Sequence, residues 1–231
     1  MSIHDGHRQR LKDRFRKEGL DSFDELYVLE LLLFYVIPRA DTNPLAHRLL
    51  DHFGSLTAVL DASPEELEKV DGMGANAATF LALITQVGRY YQVKHSEAGK
   101  ILPRIEDCGA YLTPYFMGRD KETVFILCLD AKCKVICCKL LGEGSVNSAN
   151  VPIRRVVEVA LSSNATTVIL AHNHPSGLAL PSADDIHTTY RVAAALNAVE
   201  ITLADHIVVS NGDYVSMVQS SYYNPQEVNK I

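Results

Sequence analysis

The sequence lacks a C-x-x-C pair, a long uninterrupted apolar run and an excess of positive charge. Five cysteines without C-x-x-C spacing argue against a disulfide framework and against a thiolate zinc site. We expect reduced thiols, with Cys128 and one of Cys137 or Cys138 serving as small core residues.

The longest apolar run, residues 27–37, is interrupted by Glu30 and is too short to cross a bilayer. The first nineteen residues lack the apolar stretch of a signal peptide. At 231 residues, 47% hydrophobic and 22% charged, the chain is long enough to bury one large or two modest cores. We therefore expect a soluble, cytoplasmic globular protein that does not associate with membranes.

A net charge of -6 provides no global attraction to nucleic acid. The first nineteen residues are nevertheless locally basic, through Arg8, Arg10, Lys12, Arg14, Arg16 and Lys17. This basic segment is interpreted either as a weak DNA contact or as a solvated helix face.

Residues 1–95 show helical apolar spacing and no comparable strand signal, which predicts an all-α N-terminal domain. Ser63 and Pro64 mark a helix start. Residues 67–78, with Gly72-Met73-Gly74, resemble a helix-hairpin-helix motif, whose backbone N–H groups can face a phosphate. Because acidic residues crowd this turn, we interpret it as a packing or docking module rather than a strong DNA clamp.

The polar residues 96–103 are predicted to be a linker to a second domain, 104–231. Here helical and strand patterns alternate, with hairpins as well as crossovers, which predicts a mixed sheet with helices on its faces. The expected helices are 105–116, 152–163 and 182–197, and the expected strands are 123–129, 134–140, 166–171, 201–210 and 214–218. The predicted fold class is thus a two-domain α+β or α/β chain.

Two histidines and an aspartate have the spacing of a metal site. His172 and His174 follow a predicted buried strand, and their i, i+2 spacing points both rings the same way. Ser182 is the expected N-cap of the next helix, which places Asp185 in its first turn. Two imidazoles and one carboxylate suit Zn²⁺ with an open fourth position, although iron or manganese would also fit. The alternative is an ordinary capping box beside histidines that satisfy backbone groups.

These residues resemble the RadC family, a bacterial branch of the JAMM/MPN metalloprotease superfamily. The resemblance rests on His172-Asn173-His174-Pro175-Ser176-Gly177 with Pro181-Ser182-x-x-Asp185, on Gly144-Ser145, on Asp205-His206 and on the N-terminal helices. It implies a JAMM/MPN, cytidine-deaminase-like α-β-α domain in which His172, His174 and Asp185 hold zinc. The middle residue Asn173 matches RadC proteins, whereas eukaryotic deubiquitinating relatives use Ser or Thr.

The resemblance also implies that Glu122 holds the attacking water, a role for which Glu143 and Glu158 compete on spacing alone. Ser182 is expected to cap its helix and to donate a hydrogen bond to a developing oxyanion. Either Asp205 or His206 is a candidate to orient a zinc-bound imidazole, and a structural pair is an equal alternative. The chain departs from the family at Pro152-Ile153-Arg154-Arg155, where many members have Pro-Arg-Glu.

These residues are compatible with three functions. The first is a zinc hydrolase that cleaves a peptide, isopeptide or related amide bond in a peptide or protein substrate, with Glu122 as general base. The second is a DNA-repair or DNA-binding accessory protein with a structural metal, binding DNA weakly through its N-terminal helices. A metal-dependent nuclease ranks third, because nucleases usually supply more carboxylates.

Overall fold

In a computed structural model of this chain, the structure describes residues 3–95, 99–144, 151–175 and 177–228. The chain separates into two compact units, Met1–Gly88 and Arg89–Ile231. The predicted domain boundaries and the linker at 96–103 stay predictions, and Leu102 within that linker is buried. Ser145 and Ser176, which contribute to the resemblance, lie outside the described residues. Among the described helices, none combines the length and the apolar character that crossing a bilayer requires.

The first unit is helical, as the apolar periodicity predicts. Its helices are α1 Ile3–Glu18, α2 Glu25–Val36, α3 Asn43–Phe53, α4 Leu56–Asp61 and α5 Pro64–Leu67, followed by α6 Ala75–His95, which continues into the second unit. Leucines of four of these helices form its core, among them Leu29, Leu49, Leu67 and Leu81. The predicted start at Ser63 is confirmed, because Ser63 and Glu66 form a capping box.

Glu30, which interrupts the apolar run of α2, is fully buried. Nε2 of His7 in α1 lies 3.1 Å from each of its carboxylate oxygens. A buried carboxylate is costly without a polar partner, so this contact accounts for a charged residue in an otherwise apolar helix. Because 23 residues separate the two side chains, no local pattern in the sequence indicates the pair.

The turn between α5 and α6 requires glycine at residue 72. Gly72 has a φ of +88°, and a Cβ there would lie 2.9 Å from Nη2 of Arg48. Nε of Arg48 donates to the carbonyl oxygen of Asp71 at 3.0 Å. A basic side chain therefore does approach the hairpin turn, but it comes from α3 and is used to hold the turn.

The second unit contains a five-stranded mixed sheet in the order β2-β1-β3-β4-β5. Its elements are α7 Ile105–Leu112, a 3₁₀ helix Thr113–Phe116, β1 Thr123–Leu129, β2 Val135–Glu143, α8 Ile153–Ser162, β3 Thr167–Asn173, α9 Ala183–Asn197, β4 Thr202–Ser210, β5 Asp213–Ser216 and α10 Pro225–Val228. Among the strands that the structure describes, only β3 and β4 pair in parallel, and α9 connects them. The predicted mixed sheet with hairpins and a crossover is confirmed.

Helices cover both faces of the sheet. All seven residues of β1 are buried, and residues 124–129 alternate between two apolar cores. Ile126 packs in the core that includes α8 and α9, whereas Leu127 packs in the core that includes α7. In β3, Leu170 belongs to the α8–α9 side and Ala171 to the α7 side. By the same alternation His172 faces α9, the helix that carries Asp185.

Two predicted elements end earlier than the apolar pattern indicated. The helix predicted at 105–116 is α-helical only to Leu112 and continues as a 3₁₀ helix, because Pro114 has no N–H for an i→i−4 bond. The strand predicted at 214–218 ends at Ser216, because the N–H of Val218 bonds to the buried carboxylate of Asp205 at 3.0 Å.

All five cysteines are free. Cys128 is fully buried, while Cys137 and Cys138 are half-buried and pack against opposite cores of the sheet. Burial raises the pKa of Cys128 to about 12, which keeps this thiol protonated. The prediction that these residues serve as small core side chains therefore holds for Cys128, and both of its neighbours on β2 contribute in part.

We predict that Asp205→Ala lowers the free energy of unfolding by about 3 kcal/mol, because three donors lose their acceptor in the protein interior. These donors are the hydroxyl of Ser216 at 2.5 Å and the N–H groups of His206 and Val218. Denaturant unfolding followed by circular dichroism measures the change. Asp213→Ala, at the exposed first residue of β5, is the matched control, expected within about 0.5 kcal/mol of the unaltered chain. Equal losses in the two variants would contradict this account.

Candidate metal centre

The candidate ligands meet at the carboxyl end of β3. His172 is the penultimate residue of that strand, and His174 is the first residue after the strand. The N–H of His174 donates to the carbonyl oxygen of Val209 on β4 at 2.8 Å. Because β3–α9–β4 is a parallel crossover, the first turn of α9 returns to this edge of the sheet. Asp185 lies in that turn and is fully buried.

The structure brings His172, His174 and Asp185 together as a group that could hold a metal ion. Nε2 of His172 lies 3.0 Å from Nε2 of His174 and 3.1 Å from Oδ1 of Asp185, and Nε2 of His174 lies 3.6 Å from Oδ2. Tetrahedral zinc with metal–ligand distances near 2.0–2.1 Å separates its ligand atoms by about 3.3–3.4 Å. The spacing of the three groups fits such an ion.

Ser182 positions Asp185 by a reciprocal capping box, as predicted for the helix start. The N–H of Asp185 donates to Oγ of Ser182 at 3.1 Å, while the N–H and the hydroxyl of Ser182 both donate to Oδ2 at 2.6 Å. The single hydroxyl proton of Ser182 is thus used on Asp185. Its predicted role as an oxyanion donor stays a prediction and would require this bond to be exchanged.

A buried chain of polar groups supports His172 from behind. Nδ1 of His172 lies 2.8 Å from Nε2 of His206, and Nδ1 of His206 lies 2.6 Å from Oγ1 of Thr189. Thr189 Oγ1 also donates to the carbonyl oxygen of Asp185 at 2.6 Å. Burial lowers the pKa of His206 to about 3, so this ring is neutral at physiological pH.

The positions of the protons in these hydrogen bonds decide whether His172 can act as a metal ligand. When the Thr189 hydroxyl donates to the Asp185 carbonyl, its oxygen accepts from Nδ1–H of His206. Nε2 of the neutral His206 then carries a lone pair and accepts from Nδ1–H of His172. This arrangement leaves a lone pair on Nε2 of His172, directed at Asp185 and His174, as a metal ligand requires.

His174 is held in the matching orientation. Its Nδ1 lies 3.0 Å from the carbonyl oxygen of Leu178, which can only accept, so the neutral ring presents the lone pair of Nε2 to the site. The carboxylate of Asp185 would accept a hydrogen bond from the protonated ring, and this raises the pKa of His174 despite partial burial. Two lone pairs and a carboxylate at such short distances repel one another unless a cation lies between them, so the donor set suits a metal ion.

Glu122 immediately precedes β1 and is half-buried beside this site. Val124 pairs with His172 across the β1–β3 ladder, and Glu122 lies two residues earlier on the same strand face. Its negative charge also contributes to raising the pKa of His174. The predicted catalytic role of Glu122 stays a prediction that this placement supports.

The competing carboxylates have other partners. Oε2 of Glu143 lies 2.6 Å from Nη1 of Arg119, and Oε1 of Glu158 lies 2.8 Å from Nε of Arg154 on α8. Arg154 belongs to the segment where the chain departs from the family pattern. His187 is exposed and is absent from the ligand group found among the described residues.

Sequence reasoning left one supporting residue undecided and missed another. Between Asp205 and His206, the residue that contacts a candidate ligand is His206, while Asp205 accepts bonds from β5 and the segment after it. Thr189 was missed, although its position four residues after Asp185 places both on one face of α9. Asn173 was noted only as a motif residue, yet its side chain bonds to the segment that contains Glu122.

Comparison with known proteins agrees with this geometry. The family described as the RadC-like JAB domain matches residues 102–222, about half of the chain. UPF0758 protein FN0909 of Fusobacterium nucleatum is 32% identical over 221 residues, covering 93% of this chain and 95% of that protein. UPF0758 protein IL0240 of Idiomarina loihiensis is 33% identical over 214 residues, covering 91% and 94%.

We predict that Thr189→Val weakens zinc binding by about 10- to 100-fold, because the acceptor that orients His206 is lost. Competition with a chromophoric chelator measures the affinity. The control is Thr188→Val on the same helix: Thr188 is equally buried, and its hydroxyl makes no hydrogen bond within the described residues. Zinc affinity unchanged in the Thr189 variant would show that the chain behind His172 does not set its protonation.

Proposed function

This chain belongs to the RadC-like JAB domain family, and on that premise we propose that it is a zinc-dependent hydrolase of the JAMM type. Its proposed substrates are peptides or proteins, and the bond cleaved is a peptide, isopeptide or related amide bond. His172, His174 and Asp185 would hold the ion, and Glu122 would act as general base.

One observation carries the proposal, namely the convergence of two oriented imidazole nitrogens and a buried carboxylate. Three protein ligands leave a fourth tetrahedral position for water or substrate, which distinguishes catalytic from structural zinc sites. Capping boxes and strand-end histidines occur separately in many proteins, but neither requires three donor atoms within 4.8 Å of one another. A capping box beside histidines that satisfy backbone groups therefore does not explain why the three donor atoms lie together.

Zinc, when bound, lowers the pKa of water toward 7 and polarises a carbonyl group. Glu122 would accept a proton from the attacking water at its carboxylate and pass it to the nitrogen of the leaving amine. His206 and Thr189 would hold His172 in its ligand tautomer throughout. Leu178 and Leu180 are both exposed in the loop that follows His174 and would provide apolar contacts for a substrate chain.

We predict that Glu122→Gln abolishes hydrolysis and retains one zinc per chain, because the amide cannot take a proton whereas the three ligands are intact. His172→Ala and Asp185→Ala are expected to lose the metal as well as activity. Zinc content by mass spectrometry of the metal, together with cleavage of fluorogenic peptide and isopeptide pools, measures both. Glu158→Gln is the matched control and should behave as the unaltered protein. Hydrolysis that persists in the Glu122 variant would reject this general base.

For the alternative, DNA binding, two cations of the basic first helix are already engaged within the chain. Arg8 donates to the carbonyl oxygens of Phe34 and Ile37, and Arg14 contacts Ser22 and Glu18. Since phosphate affinity depends on available Lys and Arg side chains, we infer that any DNA contact of the full chain is weak.

We predict that duplex DNA binds only at low ionic strength and that joint substitution of Arg10, Arg16 and Lys17 by Gln removes this binding, because fewer counterions are released. Fluorescence anisotropy over a salt series measures it, with Lys132→Gln in the second unit as control. Nanomolar binding at physiological salt would instead place DNA first among the candidate partners.

A further inference from the structure

The side chain of Asn173 bonds to the backbone on both sides of Glu122. Its Oδ1 accepts from the N–H of Thr123 at 2.8 Å, and its Nδ2 donates to the carbonyl oxygen of Lys121 at 3.2 Å. Asn173 is 4% exposed and Thr123 is fully buried. Both functional ends of the amide are thus used on one three-residue segment.

These bonds replace the strand pairing at the point where it stops. The register between β1 and β3 ends at Val124 and His172, while β3 stays paired with β4 through Asn173 and Val209. Thr123 directly precedes Val124, and its N–H donates to the side-chain oxygen of Asn173 instead of to a backbone carbonyl of β3. Without the Asn173 amide, none of the described hydrogen bonds would link the residues before Val124 to β3, apart from those of the Val124–His172 pair.

Another bond to the segment comes from the residue that directly follows β2. The N–H of Gly144 donates to the carbonyl oxygen of Glu122 at 3.0 Å. Two bonds from Asn173 and one from Gly144 thus hold the backbone of residues 121–123. The hydroxyl of Thr123 also donates to the carbonyl oxygen of Lys121 at 3.0 Å, and Thr123 pairs with Glu143 across β1 and β2. The direction of the Glu122 side chain follows from that backbone, and strand alternation places it on the face shared with His172.

We propose that Asn173 is a positioning residue, whose amide fixes residues 121–123 so that the carboxylate of Glu122 stays at the metal centre. The inference rests on the proposed function of Glu122 and extends it to the residue between the two histidines. Asn173 thereby couples the segment of the general base to the strand that carries the ligands. A displacement of about 1 Å at a reacting group can reduce the rate about 100-fold.

The two histidines do not depend on the Asn173 amide. His172 is held by its pairing with Val124 and by the contact with His206, and His174 by its bonds to Val209 and Leu178. Removal of the amide should therefore disturb Glu122 and leave zinc binding intact. If the Asn173 amide only stabilised the end of β3, its removal would instead weaken zinc binding as well as the placement of Glu122.

The test is Asn173→Ala in the full chain, with three measurements. Zinc affinity by chelator competition should stay within about threefold of the unaltered protein. Hydrogen exchange at the Thr123 amide, read by NMR, should become at least tenfold faster, while the Ile126 amide is unchanged. Hydrolysis should fall about 10- to 100-fold, because the amide no longer holds the segment of the general base.

Asn173→Asp is the second variant, in case the alanine chain does not fold. Its carboxylate still accepts from Thr123 but provides no donor for Lys121, so exchange should stay slow and hydrolysis should exceed that of Asn173→Ala. Asn197→Ala at the end of α9 is the matched control and should change none of the measurements. The rate of hydrolysis should be lower in the variants whose Thr123 amide exchanges faster. A rate of hydrolysis that shows no such relation across these variants would overturn the proposal.

Two further outcomes separate this inference from the proposed function. Loss of zinc together with activity in Asn173→Ala would overturn the inference, because the amide would then support the ligands. If the unaltered protein cleaves no probe, the proposed hydrolase fails, and exchange still decides whether Asn173 holds its segment. Slow Thr123 exchange in Asn173→Ala would then overturn the inference independently.

Discussion

The parallel pairing of β3 with β4 is the constraint on which the candidate site depends. A parallel pair needs a crossover, and the crossover helix α9 begins where β3 ends. This connection brings Asp185, eleven residues after His174 in the chain, to the same edge of the sheet. Any topology in which β3 and β4 formed a hairpin would leave the histidines without the carboxylate.

Burial gives that edge its chemistry. Asp185, His206 and Thr189 are fully buried, and Oγ1 of Thr189 bonds both to the Asp185 carbonyl oxygen and to the His206 ring. Each of these bonds restricts the position of a proton. The outcome is a chain from the Asp185 backbone through Thr189 and His206 to His172 that ends in a lone pair directed at the other donors. All four residues of this hydrogen-bonded chain are buried, which shields its bonds from water.

Neighbouring residues at this edge have separate tasks. His172 and His174 face the candidate ion, while Asn173 between them bonds the segment of the proposed general base. The end of a strand makes this division possible. Consecutive side chains alternate in direction there, and the backbone pairing of β1 with β3 stops at Val124 and His172. The family match over residues 102–222 agrees with a site built from these elements.

Much of the secondary structure and the ligand group could be read from the sequence alone. Apolar periodicity located the helices of the first unit and the strands of the second, and the short spacings in His-x-His and Ser-x-x-Asp act through local geometry that any strand end and helix start impose. The end of α7 at Pro114 and the truncated β5 required bonds that periodicity does not report.

Only the tertiary structure decided which residues support the ligands. His7 with Glu30, His206 with His172, and Asn173 with Thr123 lie 23, 34 and 50 residues apart. Such contacts arise when separate elements pack, and no local pattern encodes them. The sequence by itself determined the donor atoms and the elements that carry them, whereas packing determined the protonation and the alignment that would let those atoms act together.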